Sequence, residues 1–284
     1  MDQNRRDMLT AAAVTAAVTT AQTALAQPEG TPPGGGRYEF YEKNGVRLRY
    51  TKVGSGFPLL ALPGRGLNSL MSGWAGHGIN PPENFKNDFT VVTLDVRNGI
   101  GGGSTGPVPV DDPWNAFADD HLGLMDHVGA KRFVVFGNCM SAQWVLKLLE
   151  RAPERIAAAV ISQPVGYQPE WPDQMYNHVA VTWGPEFRKT HPELSQADVE
   201  KMATKMFRSP ADFTYVVSRE FMKNCQTPIY VLPDQTQAHS YKTAIEIASL
   251  APNAQVNVYP WVTPPELKAR TVERVRAFLK AHAK

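Results

Sequence analysis

Residues 132–148 read RFVVFGNCMSAQWVLKL and place a cysteine where a strand should turn into a helix. The run Arg132–Gly137 is short and rich in β-branched and aromatic side chains, which is typical of a buried strand. Ser141–Glu150 predicts a helix, because its large apolar side chains recur on one face. Few residues separate the two, so the chain must turn sharply at Cys139. The sequence therefore predicts a strand–turn–helix unit with a thiol at its tip.

The turn, Gly137 to Ser141, has the pattern G-x-C-x-S. It is a variant of the nucleophile elbow G-x-S-x-G, in which the nucleophile stands on a tight strand-to-helix turn. Small residues two positions before and after Cys139 let neighbouring backbone pass without clashes. The N-terminus of the following helix favours the thiolate. We therefore expect Cys139 to be a nucleophile; a buried structural cysteine is the alternative.

The composition and the N-terminus limit the class of protein. With 284 residues, 43% of them hydrophobic and 20% charged, the chain can hold one large α/β domain with room for an insertion. Residues 1–26 carry Arg5-Arg6, an Ala/Thr/Val-rich stretch and Ala24-Leu25-Ala26, which is the pattern of a twin-arginine signal peptide. We expect recognition by the bacterial export machinery, a periplasmic or secreted protein and no stable membrane anchor. An uncleaved anchor is the alternative.

The charge and the cysteine content limit the partners, disulfides and cofactors that can be expected. The net charge is +2 and no Lys/Arg cluster occurs, so nothing supports a nucleic-acid partner or an anionic membrane surface. Cys139 follows its strand, whereas Cys225 precedes a later one, which puts them at opposite ends of a parallel sheet. That separation of ~15 Å exceeds the limit of about 7 Å for a disulfide, so we expect two free thiols. No Cys/His/carboxylate cluster has ligand spacing, so we expect neither a metal nor another cofactor.

The remaining pattern describes a sheet with a helical insertion. Residues 27–36 predict a linker, and the runs Arg37–Tyr41 and Val46–Val53 predict a hairpin. Further strands are expected at Pro58–Leu62, Thr90–Val96, Phe133–Gly137, Ala157–Gln163, Ile229–Leu232 and Val256–Tyr259. Their continuous apolar character predicts an α/β fold with a mostly parallel central sheet flanked by helices. Residues 168–225 interrupt the alternation and predict a helical cap.

Several motifs stand in the order and spacing of the α/β-hydrolase superfamily, which the chain resembles over nearly all of residues 37–284. They are LPGRG at 62–66, LDVRNGIGGGS at 94–104, GNCMSA at 137–142, PERIAAAVISQPVG at 153–166 and TPIYVLPDQTQAHS at 227–240. More narrowly, the chain is similar to members with a cysteine in the elbow, such as dienelactone hydrolases. The resemblance implies the α/β-hydrolase fold for residues 37–284.

The resemblance also implies a nucleophile, a base, an acid that orients the base, and an oxyanion hole. Cys139 would be the nucleophile, and the N–H groups of Met140 and Arg65 would bind the oxyanion. Gly64 and Gly66 would let the backbone of that loop approach the substrate. The alternative is a plain Pro/Gly turn after a strand.

The position of the candidate base departs from the family pattern. The fold expects a histidine after the last strand, but residues 259–265 contain none. Asp234 stands where the fold keeps its acid, although strand-end carboxylates also cap turns. His239 follows it by five residues on the same loop and is the best candidate for the base; it could equally pack or cap that loop. Further candidates are His77, near the oxyanion loop, and then His178 and His191 in the cap.

These features predict a function. The cap is rich in aromatic residues, and Trp183 is the candidate that binds substrate there. We expect an exported cysteine hydrolase that cleaves a small ester, lactone or thioester through an acyl-enzyme on Cys139. The alternatives are an acyltransferase or C–C hydrolase on the same scaffold, or a non-catalytic ligand-binding protein that has lost the usual histidine. The substrate and the oligomeric state stay open.

Overall fold

A computed structural model of the chain describes residues 31–208 and 213–284. The predicted signal peptide and residues 27–30 of the predicted linker lie outside these residues. The strands are β1 Tyr38–Lys43, β2 Val46–Val53, β3 Phe57–Leu62, β4 Phe89–Leu94, β5 Phe133–Asn138, β6 Ile156–Ser162, β7 Ile229–Leu232 and β8 Ala254–Val256. They form an eight-stranded sheet in the order β1-β2-β4-β3-β5-β6-β7-β8.

The sheet is parallel from β4 to β8, whereas β2 runs antiparallel to both β1 and β4. The predicted hairpin joins β1 to β2 through Asn44 and Gly45, whose φ angles of 51° and 77° are those of a tight turn. The expectation of a mostly parallel sheet is therefore confirmed.

The last strand was predicted wrongly. It covers Ala254–Val256 rather than Val256–Tyr259. As an edge strand it pairs with β7 alone, and Val258 beyond it is 57% exposed. The apolar residues at and after the end of this strand therefore do not mark a buried strand interior. Pro260 follows closely and has no N–H to donate to a ladder.

The described helices are α1 Pro81–Asn84, α2 Pro113–His127, α3 Ser141–Arg151, α4 Gln174–Asn177, α5 Gly184–Phe187, α6 Gln196–Phe207, α7 Arg219–Asn224, α8 Tyr241–Leu250 and α9 Pro265–His282. A π-helix covers His178–Trp183, and short 3-10 turns cover Pro33–Gly35, Gly66–Asn68, Met71–Gly76 and Pro153–Arg155. None of these helices is both long and apolar enough to cross a membrane.

The sheet is buried on both faces. On β3, Leu60 belongs to the core that α2, α3, α8 and the cap cover, whereas Leu59 belongs to the core under α9. Alternate side chains of a strand point to opposite faces, so a strand covered on both sides must be apolar throughout. This explains the uninterrupted apolar runs in the sequence.

Helices α4 to α7 and the π-helix lie between β6 and β7, within the range predicted for the cap. Helix α6 begins with a capping box in which Ser195 accepts from the Asp198 N–H and Asp198 accepts from the Ser195 N–H. The cap is tied to α2, because Trp114 donates its indole N–H to the Met206 carbonyl at 3.2 Å and packs edge-on against Phe207.

Candidate active site

The tip of the elbow is held in a strained conformation. Cys139 follows the end of β5 with a φ of 55°, which is in the left-handed region that side chains with a Cβ rarely adopt. Only glycine fits at position 137, since a Cβ there would lie 2.4 Å from the Ser141 carbonyl oxygen. The Ser141 hydroxyl donates to the Pro63 carbonyl at 2.5 Å and so ties the elbow to the loop after β3. Cys139 itself is half-buried.

Asp234 and His239 lie together on the loop after β7. The Nδ1 of His239 is 2.8 Å from Oδ2 of Asp234. Because a carboxylate only accepts, Nδ1 carries the proton of this bond. The Cys139 thiol also acts on this ring, because its hydrogen bond and charge help to raise the pKa of His239. The structure thus brings the predicted acid, base and nucleophile into one chain of hydrogen bonds.

This chain sets the charges of its members. Burial alone raises the pKa of the Cys139 thiol, but the hydrogen bond and charge of His239 outweigh it, with the N–H groups of Arg65 and Met140 adding to the effect, so the pKa falls below its ordinary value. Burial likewise lowers the pKa of His239, but the hydrogen bonds to Asp234 and Cys139 raise it to about 9. Each member of the pair therefore favours the charged form of the other.

The predicted oxyanion donors surround the same sulfur. The backbone N–H groups of Met140 and Arg65 both help to lower the pKa of the Cys139 thiol. Arg65 has a φ of 93°, so the loop holds a non-glycine residue in the left-handed region at this point. Two N–H groups converging beside a nucleophile are the arrangement that stabilises a developing oxyanion.

The two glycines of this loop allow close approach to protein groups. A Cβ at Gly64 would lie 3.0 Å from the Cys139 Cβ, and one at Gly66 would lie 2.3 Å from Nε2 of His178 in the cap. The loop is therefore packed between the elbow and the π-helix of the cap. The prediction that both glycines contact substrate stays a prediction.

His77, the second candidate for the base, lies behind the oxyanion loop. Its Nε2 accepts from the Gly64 N–H at 3.2 Å, and its Nδ1 is 3.1 Å from Nδ2 of Asn138. Burial, followed by the charges of Arg65 and His239, lowers its pKa to about 4. It is neutral at ordinary pH and joins the oxyanion loop to the residue before the nucleophile.

The cap residues named from the sequence pack against protein. Burial lowers the pKa of His178, which lies against Gly66, while the Arg65 carbonyl partly opposes this. Trp183 is only 2% exposed and stacks on Phe187 at 4.6 Å. His191 stacks on the other side of Phe187 at 3.8 Å. The structure thus gives Trp183 a place in the interior of the cap, and its contact with substrate stays a prediction.

Two further residues were not foreseen from the sequence. Gln163 donates from Nε2 to Oδ2 of Asp234 at 2.7 Å. Trp261, on the loop where the family pattern places a histidine, is buried and donates to the Pro233 carbonyl at 2.8 Å. The signal for Gln163 was its position directly after β6, at the same sheet edge as Asp234.

Cys225 is buried, and both cysteines are free. Within residues 31–208 and 213–284, no group of three or more His, Cys, Asp or Glu side chains could hold a metal ion.

Comparisons with known proteins agree with the fold. The family described as alpha/beta hydrolase fold matches residues 58–260, so the chain belongs to the α/β-hydrolase fold family. No curated protein matches the chain in sequence at a significant level.

Solved structures share the fold at low sequence identity. A hydrolase from Pseudomonas aeruginosa PA01 has a TM-score of 0.63 at 17% identity, covering 86% of this chain and 98% of that one. The carboxylesterase CesB from Bacillus subtilis has a TM-score of 0.62 at 18% identity, with 86% and 91% covered. The enol-lactonase from Burkholderia xenovorans LB400 has a TM-score of 0.61 at 18% identity, with 85% and 100% covered. The predicted α/β-hydrolase fold is confirmed.

Proposed function

We propose that this protein is a cysteine hydrolase that cleaves a small ester, lactone or thioester through an acyl-enzyme on Cys139. The observation that carries the proposal is the hydrogen-bonded chain from Asp234 through His239 to Cys139, with two backbone N–H groups at the same sulfur. Membership of the α/β-hydrolase fold family and the esterase and lactonase among the similar structures support the same class of reaction.

The reaction follows from these groups. The Cys139 thiolate attacks the carbonyl carbon, and the resulting oxyanion accepts from the N–H groups of Arg65 and Met140. The His239 imidazolium gives its Nε2 proton to the departing oxygen or sulfur, which leaves a thioester between Cys139 and the acyl group. Neutral His239 then takes a proton from water, whose oxygen attacks this thioester, and the thiolate departs. Asp234 holds the imidazole through both half-reactions.

The charge state of the Cys139–His239 pair affects which substrates the site can cleave. A thiolate is a better leaving group than an alkoxide, so the first tetrahedral intermediate tends to return to substrate unless the other group leaves easily. Thioesters, enol esters and enol lactones, whose leaving groups depart easily, therefore suit this site better than amides do. The imidazolium, already formed, supplies the proton that a less activated ester needs.

The non-catalytic alternative was motivated by the histidine missing after β8. With His239 in contact with both Asp234 and Cys139, that motive falls away. No observation in the described residues favours an acyltransferase or a C–C hydrolase over ester hydrolysis.

The test is turnover together with trapping of the intermediate. The purified protein is expected to hydrolyse p-nitrophenyl acetate and a small thioester and to carry one acyl group on Cys139 in rapidly quenched samples analysed by mass spectrometry. Cys139→Ala should abolish both signals, whereas Cys225→Ala, the matched control at the other thiol, should keep them. Turnover that survives Cys139→Ala would refute the proposal.

Export is a separate part of the proposal. The support is the Arg5-Arg6 pair and the Ala24-Leu25-Ala26 site in the sequence. Fractionation of bacterial cells that express the full chain should find it in the periplasm or medium, shortened at its N-terminus. Replacing Arg5 and Arg6 by lysine should retain it in the cytoplasm.

A further inference from the structure

Acid and base share one short loop after β7, so its attachment to the rest of the domain fixes the site. The loop closes on itself, because the Thr236 N–H donates to the His239 carbonyl and the His239 N–H donates to the Thr236 hydroxyl, both at 3.0 Å. Its outer attachments lead to the segment that follows β6. The Ser240 N–H donates to the Pro164 carbonyl at 3.2 Å, and the Gln168 side chain donates to the Gln237 carbonyl at 2.9 Å.

Gln163 makes the attachment that reaches the acid itself. It is the first residue after β6, and its N–H donates to the Leu232 carbonyl at the end of β7 at 2.7 Å. Its φ of 50° is in the left-handed region, an uncommon conformation for glutamine. From this backbone the amide Nε2 reaches Oδ2 of Asp234 at 2.7 Å.

The donors around the Asp234 carboxylate are unequally distributed. Oδ1 accepts from the Gln235 N–H at 2.9 Å, whereas Oδ2 accepts from both His239 and Gln163. The proposed cycle makes His239 lose and regain a proton, so its own bond to Oδ2 changes strength at each step. Gln163 cannot change charge, so it is the constant donor on that oxygen.

We propose that Gln163 is a positioning residue that holds Oδ2 of Asp234 in place for His239 throughout the cycle. The inference rests on the proposed function, because the cycle is the catalytic cycle of that function. The contact between Gln163 and Asp234 does not depend on which substrate is cleaved.

The first test removes the donor and keeps the size of the side chain. In Gln163→Met only the Gln235 N–H remains to hold the carboxylate beside His239, so the pKa of His239 should fall from about 9 toward its ordinary 6.5. Alkylation of Cys139 by iodoacetamide at neutral pH should slow about tenfold, the range expected for losing one hydrogen bond to a charged group. With p-nitrophenyl acetate, kcat should fall and KM should stay. Gln168→Met, which loses a bond to the same loop but none to the acid, should leave the pKa of His239 and the alkylation profile unchanged.

The second test changes the donor into a titratable one. The carboxyl group introduced by Gln163→Glu can donate to Asp234 while protonated, and two adjacent carboxylates repel each other once it ionises. The variant should resemble the wild type at low pH and lose about tenfold or more of its alkylation rate as pH rises. The wild type is expected to show no such descending limb, and a role limited to packing would not create one.

The outcomes separate the two proposals. An unchanged pKa of His239 by NMR in Gln163→Met, or no new limb in Gln163→Glu, overturns the role of Gln163. Turnover that persists in Cys139→Ala overturns the proposed function. The NMR titration needs no substrate, so it decides the role of Gln163 in that case as well.

Discussion

Replacing the Asp234 carboxylate by the amide of asparagine should uncouple the thiol from its base. In the wild type, a His239 pKa of about 9 means about 100 imidazolium rings for each neutral ring at pH 7. In Asp234→Asn the charge at 2.8 Å from Nδ1 is lost while burial still opposes ionisation. The pKa of His239 should then fall well below about 9, although the contact with Cys139 still favours the charged ring.

The free energy involved sets the size of the effect. The rise from 6.5 to about 9 corresponds to about 3 kcal/mol of preference for the imidazolium. Asp234 and Cys139 share this preference, and a half share for Asp234 is more than one pKa unit. The ratio of imidazolium to neutral imidazole at neutral pH should therefore drop at least about tenfold.

The assay is the rate of Cys139 alkylation by iodoacetamide as a function of pH, with the site of modification checked by mass spectrometry. The apparent pKa of the thiol should rise toward its ordinary value in Asp234→Asn. Asp119→Asn, which removes an exposed carboxylate of α2 that pairs with Arg151 of α3, is the control and should behave like the wild type. Identical profiles for Asp234→Asn and the wild type would show that the Asp–His contact does not set the reactivity of Cys139.

Three further outcomes follow from the same geometry. Gly66→Ala should destabilise the fold more than Gly101→Ala in urea unfolding, because both positions have positive φ but only the first meets a neighbour, His178, at 2.3 Å; equal losses would contradict this. His77 is held neutral, because its pKa is lowered from 6.5 to about 4. Its contribution to folding stability of about 3 kcal/mol is present above the unfolded pKa of 6.5 and is lost as the pH falls toward 4. His77→Gln should therefore lose less stability in acid in the same urea assay. Cys139→Ser should lower kcat for p-nitrophenyl acetate at least about a hundredfold, since a hydroxyl does not form the preformed anion; comparable rates would mean that the thiolate is not used.

The local sequence pattern was enough to predict the elbow and the strand and helix that flank it. The elbow is encoded by residues that adjoin each other in sequence, so the strand, the turn at Cys139 and the helix could all be predicted. Asp234 and His239 also share one loop, so their pairing could be expected from a spacing of five residues. The contact of His239 with Cys139 depends on how separate strands lie in the sheet, and it became visible only in the structure.

Features that depend on tertiary packing could not be predicted from the sequence. Nothing local marks Gln163 as left-handed or sends its side chain to Asp234, because both depend on the neighbouring β7. The aromatic pattern of the cap did not distinguish interior from pocket, and Trp183 is in the interior. The apolar residues after β8 suggested a longer strand, but an edge strand has a partner on one side only.

The loop after β8 explains why the base can come from elsewhere. In the family pattern that loop carries the histidine, so losing it would ordinarily leave the acid without a partner. Here the loop instead places Trp261 under Pro233, with the indole N–H on the carbonyl of the residue before the acid. The start of the β7 loop is thereby held by Trp261 at Pro233 and by Gln163 at Asp234. A loop held at both places can carry the proposed acid and base together, so the proposed site needs no histidine on the loop after β8.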